Sequence, residues 1–225
     1  MGLVQIDQDL WVRDGTFSSL GAKGSTRMTI LRIGGDLLAY SPVRICHEDV
    51  IAIKKLGEMR WIVAPNSFHH LFVNSFHKAF PGAEIRVSSA LAKKKPSLPP
   101  HKLLSDVPLD TSGTVEQLEV QGHGLCETVL FHNPSATLIT ADLLYNLGEE
   151  HNSAERLFFR IIRAYGHPCV PFYASFVVKD KTALGKSIQT ISAWPIRRII
   201  MAHGDIVEDE KASQIFRDAW GRFVN

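Results

Sequence analysis

Residues 60–72 read RWIVAPNSFHHLF, and the change of pattern inside them decides the fold. Residues 60–64 are short, apolar and β-branched, the mark of a buried strand. Pro65-Asn66-Ser67 is a turn, and either Asn66 or Ser67 suits a helix N-cap. Phe68, Phe72, Phe76 and Phe80 then recur at intervals of four, which predicts one apolar helix stripe closed by Pro81-Gly82. Residues 84–87 predict the next strand, so the stretch reads as a βαβ unit.

Working outward, residues 27–33 and 36–41 are apolar runs split by Gly34-Gly35, a hairpin signal. Residues 9–13 predict a further short strand, and residues 47–56 have helical spacing. Residues 92–101 (AKKKPSLPPH) are basic and proline-rich and predict an exposed loop. Strands are expected at 115–120, 127–132, 136–140 and 196–201, with a hairpin at Asn133-Pro134. Helices are expected at 153–165, 181–192 and 208–223. The order, β-rich then α/β and again β-rich then α/β, suits a single domain over 1–225. Its expected class is α/β, a four-layer αββα sandwich of two mixed β-sheets flanked by helices.

Composition narrows the partners. A chain of 225 residues that is 45% apolar buries a full core without disulfides. Net charge is +2, from 25 basic against 23 acidic residues, which gives no reason to expect nucleic acid or an anionic membrane. Cys46, Cys126 and Cys169 form no CxxC pair, and residues 1–10 hold no apolar leader segment. No apolar run approaches the roughly 18 residues that span a bilayer. The expected location is the cytoplasm.

Four segments carry residues suited to chemistry, each after a strand or at a turn. His69-His70 follows the 60–64 strand. Adjacent histidines do not share a helix face, so they bind one ion together only from an irregular first turn. Taken alone, the pair also reads as a helix start with one exposed histidine. His123 lies between Gly122 and Gly124, where tight turning and close approach are easy, though a surface loop histidine is the plainer reading. Asp142 ends the apolar run 136–140 and must be solvated, paired or metal-bound. His203, in Met201-Ala202-His203-Gly204-Asp205, again follows a buried strand. Imidazole and carboxylate at the ends of successive strands suit zinc, iron or manganese. Cys126 lies three residues after His123, but positions three apart in a strand face opposite sides, so a thiol nucleophile is disfavoured.

The order strand-His-helix, Gly-His, strand-Asp, strand-His-Gly resembles the metallo-β-lactamase superfamily along almost the whole chain. Residues 36–43 (DLLAYSPV), 64–72 (APNSFHHLF), 140–147 (TADLLYNL) and 201–205 (MAHGD) resemble its DUF4336 branch in particular. Anchored on its last histidine, the superfamily's His-x-His-x-Asp-His motif falls on residues 65–70. His70 matches, His69 stands in place of the aspartate, and Ser67 and Pro65 stand in place of two histidines. His123 resembles the next ligand, Asp142 the bridging carboxylate and His203 the final histidine. The resemblance therefore implies one divalent metal rather than two, held by His70, Asp142 and His203 with His69 or His123 completing the set. Zinc is the first choice, with iron or manganese as alternatives.

Such a site implies water activation for hydrolysis of an ester, thioester, lactone or phosphodiester. Asp142 and His203 are the residues expected to carry it, and an anionic small molecule is the expected substrate. Glu127, Asp205 and Tyr145 are lesser candidates for moving a proton or positioning substrate, with Glu127 expected to face solvent. The competing class is a binding protein of the same fold without turnover.

Overall fold

The computed structural model describes residues 2–19, 22–148 and 166–224. The chain divides into two compact units, Met1–Val115 and Glu116–Asn225. The helix expected at 153–165 lies outside the described residues.

The first unit is built on a seven-stranded sheet of β1 (Val4–Asp7), β2 (Leu10–Ser19), β3 (Ala22–Ile33), β4 (Asp36–Tyr40), β5 (Glu58–Ala64), β6 (Glu84–Val87) and β7 (His101–Leu103). The strands stand in chain order across the sheet. β1 to β4 pair antiparallel, and β4 to β7 pair parallel. The expected hairpin joins β3 to β4, and Gly34 supplies the left-handed φ of +63° that its turn needs. Leu37, Leu38, Ala39 and Tyr40 are all buried, the continuous apolar pattern of a strand covered on both faces. Helix α1 (His47–Leu56) crosses from β4 to β5. Asp49 in its first turn accepts the Cys46 N–H at 3.0 Å and pairs with Arg13 at 2.9 Å.

The phenylalanine stripe is shorter than its spacing predicts. Helix α2 runs only over Val73–Ala79, and Phe68 is 57% exposed. The Asn66 side chain accepts the N–H groups of Phe68 and His69 at 2.9 and 3.1 Å, which turns the chain before a helix can start. Phe76 and Phe80 keep the apolar face, with Val73 in place of the earlier members. The basic stretch is also not a plain loop. Helix α3 (Ser89–Lys94) takes its first residues, with Ser88 Oγ accepting the Leu91 N–H and Leu91 buried. Its last residue, His101, opens β7 beside β6.

The second unit has a five-stranded sheet in the order β12-β11-β10-β9-β8. These are β8 (Val115–Glu119), β9 (Thr128–His132), β10 (Thr137–Ile139), β11 (Arg198–Ile200) and β12 (Val207–Glu208). β9 and β10 form the expected hairpin, and β10 pairs parallel with β11. Helix α4 (Lys181–Ser192) starts on the Asp180 side chain, which accepts the Ala183 N–H at 3.0 Å. Helix α5 (Ala212–Val224) buries Ala212, Phe216, Trp220 and Phe223. It starts later than its periodicity predicts, because Val207–Glu208 pairs with β11 and Glu208 binds Arg198 at 2.6 Å. Among the described residues no helix is long and apolar enough to cross a membrane.

Candidate metal centre

In the second unit, β10 and β11 end side by side because they run parallel, with Ile139 opposite Ile200. The ladder continues past both ends. Thr140 N–H donates to Ile200 O at 2.9 Å, and Ala202 N–H to Ala141 O at 3.3 Å. The next residues on each chain are Asp142 and His203, whose Oδ1 and Nε2 lie 3.4 Å apart. The Tyr145 hydroxyl donates to Asp142 Oδ1 at 2.6 Å, and its ring stacks on His203 at 5.1 Å and 13°. Tyr145 thus fixes the carboxylate and the imidazole together.

The main chain beneath them is tight. Asn146 N–H donates to His203 O at 3.3 Å, and Asp205 N–H to Asn146 O at 2.8 Å. Gly204 has a φ of +94°, and a Cβ there would lie 2.1 Å from Asn146 O. Only glycine lets the two segments approach so closely.

Glu127 is fully buried rather than facing solvent. Its Oε1 accepts from Thr140 Oγ1 at 2.5 Å and from Ala141 N at 2.7 Å, and its Oε2 from Asp142 N at 2.8 Å. Burial, then the Asp142 charge, push its carboxyl above the usual range, against the pull of these donors. A charged residue at the start of a strand reads as exposed. The signal to the contrary is the apolar run at residues 129–131, just beyond it.

His123 is 3% exposed, not a surface loop residue. Its ring packs edge-on against Trp220 at 5.7 Å, and neither ring nitrogen has a hydrogen-bond partner among the described residues. Burial pushes its pKa down, opposed by the Ala174 backbone and the Asp142 charge. Cys126 Sγ reaches the His123 carbonyl oxygen, at 3.7 Å, and not its ring.

In the first unit, the turn made by Asn66 carries both histidines. His69 Nδ1 lies 2.6 Å from Ser41 Oγ. With Nδ1–H donating to Ser41, Nε2 is the unprotonated nitrogen, the form in which an imidazole ligates. Ser41 itself has a φ of +57° at the end of β4, where its N–H donates to Val63 O at 2.9 Å. His70 has a buried Nδ1 without a hydrogen-bond partner among the described residues. Burial, then Lys94 and Lys95, push its pKa down. Pro65 and Ser67 offer no imidazole, and the Ser67 carbonyl instead accepts Lys94 Nζ at 3.0 Å.

No family model matches the chain, and no curated protein sequence does. The narrower DUF4336 likeness therefore rests on the sequence motifs alone. Solved structures do match. A metallo-β-lactamase from Pontibacter korlensis is 12% identical, covers 97% of this chain and 98% of its own, and superposes with a TM-score of 0.64. The metallo-β-lactamase DIM-1 is 13% identical over 98% of this chain and 96% of its own, with a TM-score of 0.66. The metallo-β-lactamase FIM-1 from Pseudomonas aeruginosa, in a mono-zinc form, is 12% identical over 98% of this chain and 94% of its own, with a TM-score of 0.59. At such identities the likeness is one of fold, and it extends along the whole length of both partners. Two mixed sheets flanked by helices, matched in this way from end to end, make the chain an α/β protein of metallo-β-lactamase fold.

Proposed function

We propose that the chain is a metal-dependent hydrolase with a single-ion site for which His69, Asp142 and His203 are the ligands. The observation that carries this reading is the Asp142–His203 pair at the ends of adjacent parallel strands, in a fold shared with metallo-β-lactamases. The donor set fits an ion. Two imidazoles and one carboxylate suit zinc, and also iron or manganese. Ser41 orients His69 through Nδ1, and Tyr145 orients Asp142 through Oδ1. His70 and His123 are the remaining candidates for a fourth ligand, and burial keeps both neutral, the form that ligates.

Held by these residues, a divalent ion would supply a bound water of lowered pKa, toward about 7, as the nucleophile for hydrolysis. Asp142 and His203 orient the site through their shared contact with Tyr145. The Tyr145 hydroxyl, beside Asp142, is a group able to hold or pass a proton there. The substrate class is an anionic ester, thioester, lactone or phosphodiester, because two neutral imidazoles and one carboxylate leave a divalent site net positive. Free Cys46, Cys126 and Cys169 suit a reducing compartment such as the cytoplasm, and the near-neutral charge gives no footprint for nucleic acid.

The test is elemental analysis of the protein and of its His69→Ala, Asp142→Ala and His203→Ala variants, followed by a hydrolysis screen of the metal-loaded protein. One zinc, iron or manganese per chain, lost in all three variants, is expected. Two ions of similar affinity would refute the single-ion site, and failure to take up any metal would refute the reading. A binding protein without turnover is the second reading. It is favoured by Asn66, buried and committed to the turn over a motif whose family histidines are replaced. A loaded protein that turns over nothing across all four substrate classes decides for it.

A further inference from the structure

We infer that Glu127 is a positioning residue, a buried carboxylate that fixes the backbone of the turn carrying Asp142. Its geometry rests on the hydrogen bonds alone, and its consequence for metal binding rests on the single-ion reading above. Residues 140–142 leave β10 at the point where the strand ladder ends. The N–H groups of Ala141 and Asp142 are accepted by the two oxygens of one side chain, at 2.7 and 2.8 Å. Thr140 Oγ1 adds a third donor at 2.5 Å. The opposite side of the same turn accepts the Ala202 N–H through Ala141 O, one residue before His203. Glu127 thus ties down the segment on which both neighbouring site residues depend, while Tyr145 holds the Asp142 side chain from beyond.

A fully buried carboxylate is costly unless donors surround it. These donors are main-chain groups of the site turn, so the carboxylate and the turn are satisfied by each other. No neutral side chain of the same size does this. In Glu127→Gln the amide oxygen replaces only one carboxylate oxygen. The NH2 group then faces either Asp142 N–H or Ala141 N–H, donor against donor.

The experiment uses the full chain, metal-free and with zinc. Amide hydrogen exchange at Ala141 and Asp142 is followed by NMR, and zinc affinity by competition with a chelator. In Glu127→Gln we expect exchange at residues 141 and 142 to accelerate at least about 10-fold, while amides inside α4 keep their protection. Zinc affinity is expected to fall about 10–100-fold, the range for groups that orient metal ligands from behind. Unchanged exchange at residues 141 and 142 overturns the inference, and so does loosened exchange with undiminished zinc affinity. Should the unaltered chain bind no zinc, the single-ion reading falls and the exchange data alone decide the role of Glu127. Should Glu127→Gln not fold, Glu127→Asp, which keeps the charge but draws it back, is read by the same two measurements against the same outcomes.

Discussion

Gly204→Ala is the sharpest test of the site's construction. The residue sits between His203 and Asp205 with φ at +94°, and an added Cβ would stand 2.1 Å from Asn146 O and 2.4 Å from Asn146 C. Real Cβ contacts stay above 3.0 Å, so one segment must shift by about 0.9 Å. The left-handed backbone costs alanine roughly 1–2 kcal/mol. Displacing the segment weakens the Asp205-to-Asn146 and Asn146-to-His203 hydrogen bonds, each worth about 0.5–1.5 kcal/mol. The expected destabilisation is about 3 kcal/mol, roughly a 150-fold change in the unfolding equilibrium. Urea unfolding of the metal-free protein, followed by circular dichroism, reads it directly. Gly82→Ala is the control, since a Cβ there meets nothing within 4 Å. A Gly204→Ala midpoint equal to the control's would show that the two segments do not need their close approach. Zinc affinity should fall in the same variant, because His203 moves with its neighbour.

Three further predictions follow from the same geometry. His123 is pushed below its unfolded value of about 6.5, so its contribution to stability is present above that pH and lost as pH falls through the folded value; His123→Leu should flatten the fall in stability below about pH 6.5 in urea titrations of the apo protein. Ser41→Ala removes the partner of His69 Nδ1 and should weaken zinc binding about 10-fold or more with little change in the urea midpoint, as measured by chelator competition. Asp49 sits below its ordinary value: burial pushes it up, but Arg13 and the Cys46 N–H pull it down further. Its stabilisation is present above about pH 4 and lost as pH falls through the depressed value, and Asp49→Ala should cost about 3–5 kcal/mol by leaving Arg13 unpaired, checked by urea unfolding at pH 7.

What sequence makes legible here is what local physics decides. The Gly34-Gly35 hairpin, α1 and α4 are set by residues within a few positions, and they fall where their patterns place them. The start of α2 escaped because Asn66 spends its side chain on the backbone, a choice between turn and helix that spacing alone does not resolve. Glu127 escaped because its partners lie 13–15 residues away, across a hairpin. The surroundings of His123 escaped for the same reason, since Trp220 reaches it only when α5 packs. Motif alignment favours His70 over His69. The feature that commends His69, its contact with Ser41, spans 28 positions and has no local trace.

In both sheets each strand lies next to the one that precedes it in the chain. No strand has to be threaded between two that are already paired, so a nascent chain can lay down each sheet by adding to its growing edge. On the ribosome the seven-stranded sheet would be complete before β8 is made. Asp142 would then wait, on its Glu127-bound turn, until synthesis of β11 delivers His203. On the single-ion proposal, metal capture is a late event, since a chain truncated before β11 carries Asp142 without His203.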